Sequence, residues 1–182
     1  MAVKIYGSNR IDLDGNNETF SIRATADDEL NFYKGASTKL MGMDASGFES
    51  KPNIPAFMAY GNAGAVSVDA GQEFPISATS TNIGNHYNIS TYRFTAPVAG
   101  FYSFQYGLYS YEGPQQVAIK KNGLDWRPSD TTGLFSVESN RLNSGAISMS
   151  LEVGDYVSFG FRDGYSGNVY MSHTWLSGFL VG

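Results

Sequence analysis

Between Gly100 and Tyr109, Tyr102, Phe104, Tyr106 and Leu108 recur at every second residue, so an extended chain here turns one continuous apolar face to a single side. A helix would scatter the same side chains around its axis. Upstream, Tyr87 through Phe94 is rich in aromatic and β-branched residues and reads as a preceding strand. Between the two, Ala96-Pro97-Val98-Ala99-Gly100 holds a proline that stops a ladder and a glycine free to take φ > 0. Residues 82–106 therefore specify two strands and the corner between them.

Asn82, Tyr87, Phe94, Gly100, Tyr102, Phe104 and Tyr106 stand at the spacing of a signature that resembles the globular head of complement C1q and its relatives in the tumour-necrosis-factor superfamily. One departure is the opening aromatic, where Ile76 stands, with Phe74 two residues earlier on the same face. A strand tolerates that exchange of bulky apolar residues. The segment Ser150–Val157, with Gly154 and Asp155, is similar to the family's L-x-x-G-D-x-V stretch, and Thr174–Leu180, with Gly178 and Phe179, to its closing strand. Val117–Leu124 alternates and runs into Asn122-Gly123, a strong short hairpin signal, where family members often carry Lys-Asn-Gly. The resemblance covers about Pro52 to Gly182 and implies a jelly-roll β-sandwich that assembles as a homotrimer.

Composition supports an all-β reading independently. Among 182 residues there are 21 Gly, 12 Tyr and 12 Phe with 16% charged residues, as many short strands joined by tight turns require. No amphipathic run of helical period exceeds two turns. A net charge of −5 without a basic cluster longer than Lys120-Lys121 would repel a phosphate backbone, so nucleic acid is not an expected partner. The chain has no cysteine, which excludes disulfide scaffolds and thiolate metal sites. Residues 1–10 contain no apolar signal-peptide core and no later stretch could span a bilayer, which points to synthesis in a cytoplasm without routine secretion.

The first fifty residues read as five short alternating strands, at Val3–Tyr6, Arg10–Asp14, Thr19–Thr25, Glu29–Tyr33 and Thr38–Asp44, each bounded by turn residues. Apolar pairs recur as Ile11/Leu13, Phe20/Ile22, Leu30/Phe32 and Met41/Met43. Such a meander offers one thin apolar face and too few residues to bury it. The economical solution is three copies packing these faces together along a shared axis. Ser46 through Pro55, with two prolines three residues apart, is the expected boundary, giving a stem at 1–50 and a knob at 51–182. Strings such as F-S-I-R-A, E-L-N-F-Y and L-M-G-M-D-A-S-G-F resemble the stems of tail-fibre and virion surface proteins of bacteriophages. No collagen-like Gly-X-Y repeat precedes the knob.

Catalytic groups are sparse. His86 and His173 lack a partner at the spacing of a triad or metal site, and no serine sits in a G-x-S-x-G elbow, so no catalytic residue is assigned. The acidic stretch Asp12 to Glu18 lacks the EF-hand spacing; it reads as solvated turn carboxylates, as do Asp27-Asp28-Glu29 and Arg162-Asp163-Gly164. Relatives in the superfamily sometimes hold calcium, but no motif here calls for it, and no cofactor is expected. The sequons at Asn17 and Asn88 read as coincidences of an Asn- and Ser-rich composition. Recognition is sought instead in loops carrying Tyr109, Tyr111, Trp126, Arg127 and Tyr165, where aromatics adjoin small and polar residues. Trp126 reads rather as a plug at the sandwich rim or trimer seam.

Together these readings point to a bacteriophage virion protein, a trimeric fibre, spike or capsid-decoration protein made in a host cytoplasm. Residues 1–50 would dock on capsid or tail proteins and the knob would meet a host-surface glycan or protein. A soluble cytokine-like or lectin-like trimeric binding protein is the alternative, and a purely structural capsid cement is a third reading.

Overall fold

The computed structural model describes residues 2–6, 10–14, 19–24, 29–110, 115–126, 134–137 and 140–182. It is all-β and divides into two compact units, Met1–Ile54 and Pro55–Gly182. In the first unit, β1 (Ala2–Tyr6), β2 (Arg10–Asp14), β3 (Thr19–Ala24), β4 (Leu30–Lys34), β5 (Thr38–Met43) and β6 (Glu49–Ser50) pair in chain order as an antiparallel meander. The sixth strand lies in the stretch read as a linker; Ser50 pairs with Gly42 and Glu49 with Met43.

The second unit is a sandwich of two sheets. Its strands are β7 (Ala56–Tyr60), β8 (Ala65–Val68), β9 (Ala78–Ile83), β10 (Tyr87–Asn88), β11 (Arg93–Thr95) and β12 (Gly100–Ser110). They continue as β13 (Gln115–Lys121), β14 (Leu124–Asp125), β15 (Leu134–Val137), β16 (Arg141–Leu151), β17 (Tyr156–Phe161) and β18 (Gly167–Leu180). One sheet runs β10-β11-β17-β13-β14 with β15 beside β13; the other runs β16-β12-β18-β7-β9 with β8 beside β18. Sequence neighbours are often not sheet neighbours, as a jelly roll requires.

Alternation builds the core. Tyr102, Phe104, Tyr106 and Leu108 of β12 point inward and are fully buried, facing Val117, Ile119, Val157, Phe159 and Phe161 from the opposite sheet. The Phe57 ring stacks on Tyr87 at 4.9 Å and on Phe94 at 5.0 Å, and Tyr106 meets Phe159 at 4.4 Å. Each such ring contributes roughly 1.5–3 kcal/mol by leaving water. Burial also holds the Tyr87 phenol well above the ordinary tyrosine range, so it stays a donor, reaching the Ile76 carbonyl at 2.9 Å.

Two local expectations are corrected. Tyr87 to Phe94 is not one strand but a hairpin, in which Tyr87 pairs with Phe94 and Asn88 with Arg93. Asn88 Oδ1 accepts the amides of Ser90 and Thr91, and Tyr92 turns through φ 59°, so a side chain competes successfully with the ladder. Gly100 opens β12 without positive φ; a Cβ there would meet the Leu180 side chain, so close packing and not a turn explains the glycine.

Candidate assembly face

The residues of β12 that alternate with the core set face outward: Phe101, Ser103, Gln105, Gly107 and Tyr109. Register places Ser103 against Phe179, Gln105 against Ser177, Gly107 against Trp175 and Tyr109 against Tyr170 of β18. On β7, Ala56, Met58 and Tyr60 stand opposite Phe179, Ser177 and Trp175, and β9 adds Ile83 and Thr81. On β16 the facing positions are Leu142, Ser144, Ala146, Ser148 and Ser150. None of these side chains is charged. Phe101 and Phe179, two of its aromatics, are 46% and 43% exposed.

Gly107 shapes the centre of this face. A methyl at that position would overlap the Trp175 indole, so the bare backbone lets the ring lie against the strand. Nearby, Tyr109 meets the Tyr170 ring edge-on at 5.7 Å, and both approach His173, whose Nδ1 is 3.0 Å from Ser172 Oγ. Tyr109, sought in a loop, ends a strand on this aromatic face instead.

Ion pairs of the sandwich gather on the other sheet and its loops. Arg93 holds Glu73 at 2.9 Å and lies 4.3 Å over the Tyr156 ring. The Lys120 ammonium, 1% exposed, donates to the Gly71 carbonyl at 2.5 Å and lies 3.8 Å from Asp125 and 3.9 Å from Asp163. Arg162 also approaches Asp125 at 3.8 Å. These charges join loops and strands of one sheet, while the outer face of the opposite sheet presents aromatic and hydroxyl groups, with Arg141 at the start of β16.

The residues picked out by spacing fall into three structural roles. Asn82 clasps the backbone of Tyr87, donating to its carbonyl at 2.8 Å and accepting its amide at 3.0 Å, which sets the corner before the hairpin. Tyr87, Phe94, Tyr102, Phe104 and Tyr106 are core, and Gly178 leaves room for the rings of Phe104 and Phe57. Asp155 ties the Gly154 turn to the Asn122-Gly123 hairpin. It accepts from Lys121 at 2.8 Å, Asn122 at 2.7 Å and the Glu152 amide at 2.9 Å, and these donors hold its carboxyl down at about 2. Phe179 alone of the set lies on the outer face.

Trp126 packs half-buried against the core with the Lys121 ammonium 5.5 Å from its ring centre, and Tyr165 also packs on the core. Tyr111 and Arg127 lie outside the described residues. Among the described residues, no His, Asp and Glu side chains gather in threes as a metal site, and no helix is long and apolar enough to cross a membrane. Asp12 of the acidic stretch is held by Arg10 through two hydrogen bonds of 2.7 and 2.6 Å. Sequence reasoning did not single out Phe101, Tyr60, Met58 or Trp175 for the outer face. The available signal was the second phase of the same alternation: where odd positions are aromatic as well as even ones, both faces of the strand need a cover.

The C1q domain family profile matches residues 56–181. The chain belongs to this family. Among curated proteins it is similar to mouse complement C1q and tumor necrosis factor-related protein 9, at 36% identity over 73 residues, which is 40% of this chain and 21% of the relative. The chain thus spans about a fifth of that relative's length. Among solved structures it resembles the globular domain of zebrafish complement 1qA protein, with a TM-score of 0.53 and 19% identity over 71% of this chain and 98% of that one. It also resembles Eiger TNF from S. frugiperda, with a TM-score of 0.52 and 12% identity over 71% and 94%. These likenesses show a C1q/TNF jelly roll.

Proposed function

We propose that the second unit is a binding domain, not a catalyst, that works as a homotrimer whose subunits meet through the outer face of the β16-β12-β18-β7-β9 sheet. Domains of this family form homotrimers, and one observation carries the assignment of the face: Phe101, Phe179, Trp175, Tyr60, Met58 and Ile83 lie together, and none of the register positions that face outward with them among the described residues is charged. An apolar surface of this kind needs a partner. The ligand of the trimer is a protein or glycan surface, and three modest contacts on one particle give tight adhesion through effective concentration.

The double variant Phe101→Glu/Phe179→Glu tests the face. It should shift the chain from trimer to monomer in light scattering while its circular dichroism keeps the β signature; a variant that stays trimeric would assign the interface elsewhere. Glycan arrays and whole-cell binding with the trimer test the ligand class. Binding that is no tighter for the trimer than for the monomeric variant would remove the avidity role.

A virion setting is a second reading, which rests on the resemblance of short strings in the first fifty residues; that N-terminal sheet lies outside the residues matched to the family. The complement- and TNF-related proteins found by comparison support the soluble binding reading more directly. Peptide mapping of purified particles separates the two: presence of the chain in virions supports the second, and its absence removes it.

A further inference from the structure

The first unit has its own unmatched surface. Along β2 to β5, alternation and register bring Ile11, Leu13, Phe20, Ile22, Leu30 and Phe32 to one face. Asp12, Ser21 and Asn31 lie on the other, and the burial is inverted from what a free sheet would show. On the polar face Asp12, Ser21 and Asn31 are buried under Arg10, Arg23, Tyr33 and Lys39, while Phe20 and Leu30 on the apolar face are exposed. The polar face is closed by its own side chains: Arg23 bonds Ser21 at 3.0 Å and lies 4.3 Å over the Tyr33 ring. Among the described residues the apolar face stays open. It holds an apolar hollow of about 190 Å³ lined by Leu13, Phe20, Ile22, Phe32 and Leu40.

We infer that this open face is a second self-association surface, covered by the same face of the other two copies in the trimer. The inference rests on the homotrimeric reading for its copy number. Strand spacing and rise give the four strands β2 to β5, of five or six residues each, a face of roughly 350 Å². A contiguous apolar patch of that size equals the largest found on ordinary monomers, which is often functional. It is about half of what each partner contributes to a stable stand-alone complex, roughly 800 Å². A free partner captured from solution would need more. Copies already joined through their knobs do not, because a tethered face meets its equivalent at an effective concentration on the order of millimolar. Among the described residues the face also offers no cluster of charges to select a foreign partner; Lys34, at the end of β4, stands at its border.

The chain lacks cysteine, so single cysteines report proximity cleanly in the full-length protein. Phe20→Cys and Leu30→Cys probe the open face at two positions, and Arg10→Cys probes the closed one. At micromolar chain, a short bismaleimide should join subunits through either open-face cysteine on the order of 10³-fold faster than untethered chains would react. Arg10→Cys should remain uncoupled. If light scattering shows a trimer and neither open-face cysteine couples, or Arg10→Cys couples equally, the inference falls and the knob trimer stands. A monomer by light scattering would overturn both, and circular dichroism of each variant confirms that the sheet is intact.

Discussion

Asp155 shows how a single residue of the family signature ties two turns together. Its folded carboxyl sits at about 2 against an unperturbed 3.8, with the Lys121 hydrogen bond the largest cause, then Asn122 and the Glu152 amide. A depressed folded value means the contribution is fully present above pH 3.8 and is lost as pH falls toward 2. With solvent screening it amounts to about 1 kcal/mol. Asp155→Asn should therefore lower the urea midpoint at pH 7 and flatten its pH dependence between 4 and 2; an unchanged acid limb would assign that limb to other carboxylates. In the core, Phe57→Ala removes the ring stacked on both Tyr87 and Phe94 and should cost about 3–5 kcal/mol in chemical denaturation. Gly178→Ala should cost about 1–3 kcal/mol, because the added methyl overlaps the Phe104 ring.

Elements followed from sequence where one strong periodicity acted alone. The alternation of Gly100–Tyr109 is read directly from side-chain pattern, and so are the meander strands β2 and β5 to within a residue or two; the closing strand at Thr174–Leu180 follows from the family resemblance, and β18 in fact begins at Gly167, in a stretch read as a loop. The Tyr87–Phe94 hairpin was not, because its β-rich composition conceals an Asn88 side chain that caps two amides and a Tyr92 at positive φ. Asn88→Ala should loosen this turn by about 1 kcal/mol, the usual worth of a hydrogen bond to a backbone amide. Hydrogen exchange at Ser90 and Thr91 reads it, and unchanged protection there would deny the side chain its role. The assembly face was half legible: Phe101 and Tyr109 stand in the quoted stretch, but a strand apolar on both faces does not reveal which one meets solvent. That becomes visible only when β7 and β18 bring Tyr60, Met58 and Trp175 beside them.

At the scale of the whole molecule, the described residues leave two surfaces exposed, an aromatic sheet face in the family domain and a meander face in the first unit. The homotrimer we propose would cover both with the same copy number. The virion reading drew on short strings in the first fifty residues, whereas the family membership rests on residues 56–181 and supports binding by an oligomeric domain. Light scattering of the full-length chain at micromolar concentration and neutral pH tests the central claim most directly. The account predicts a mass three times the 19.8 kDa of the chain; a particle of 19.8 kDa would contradict it.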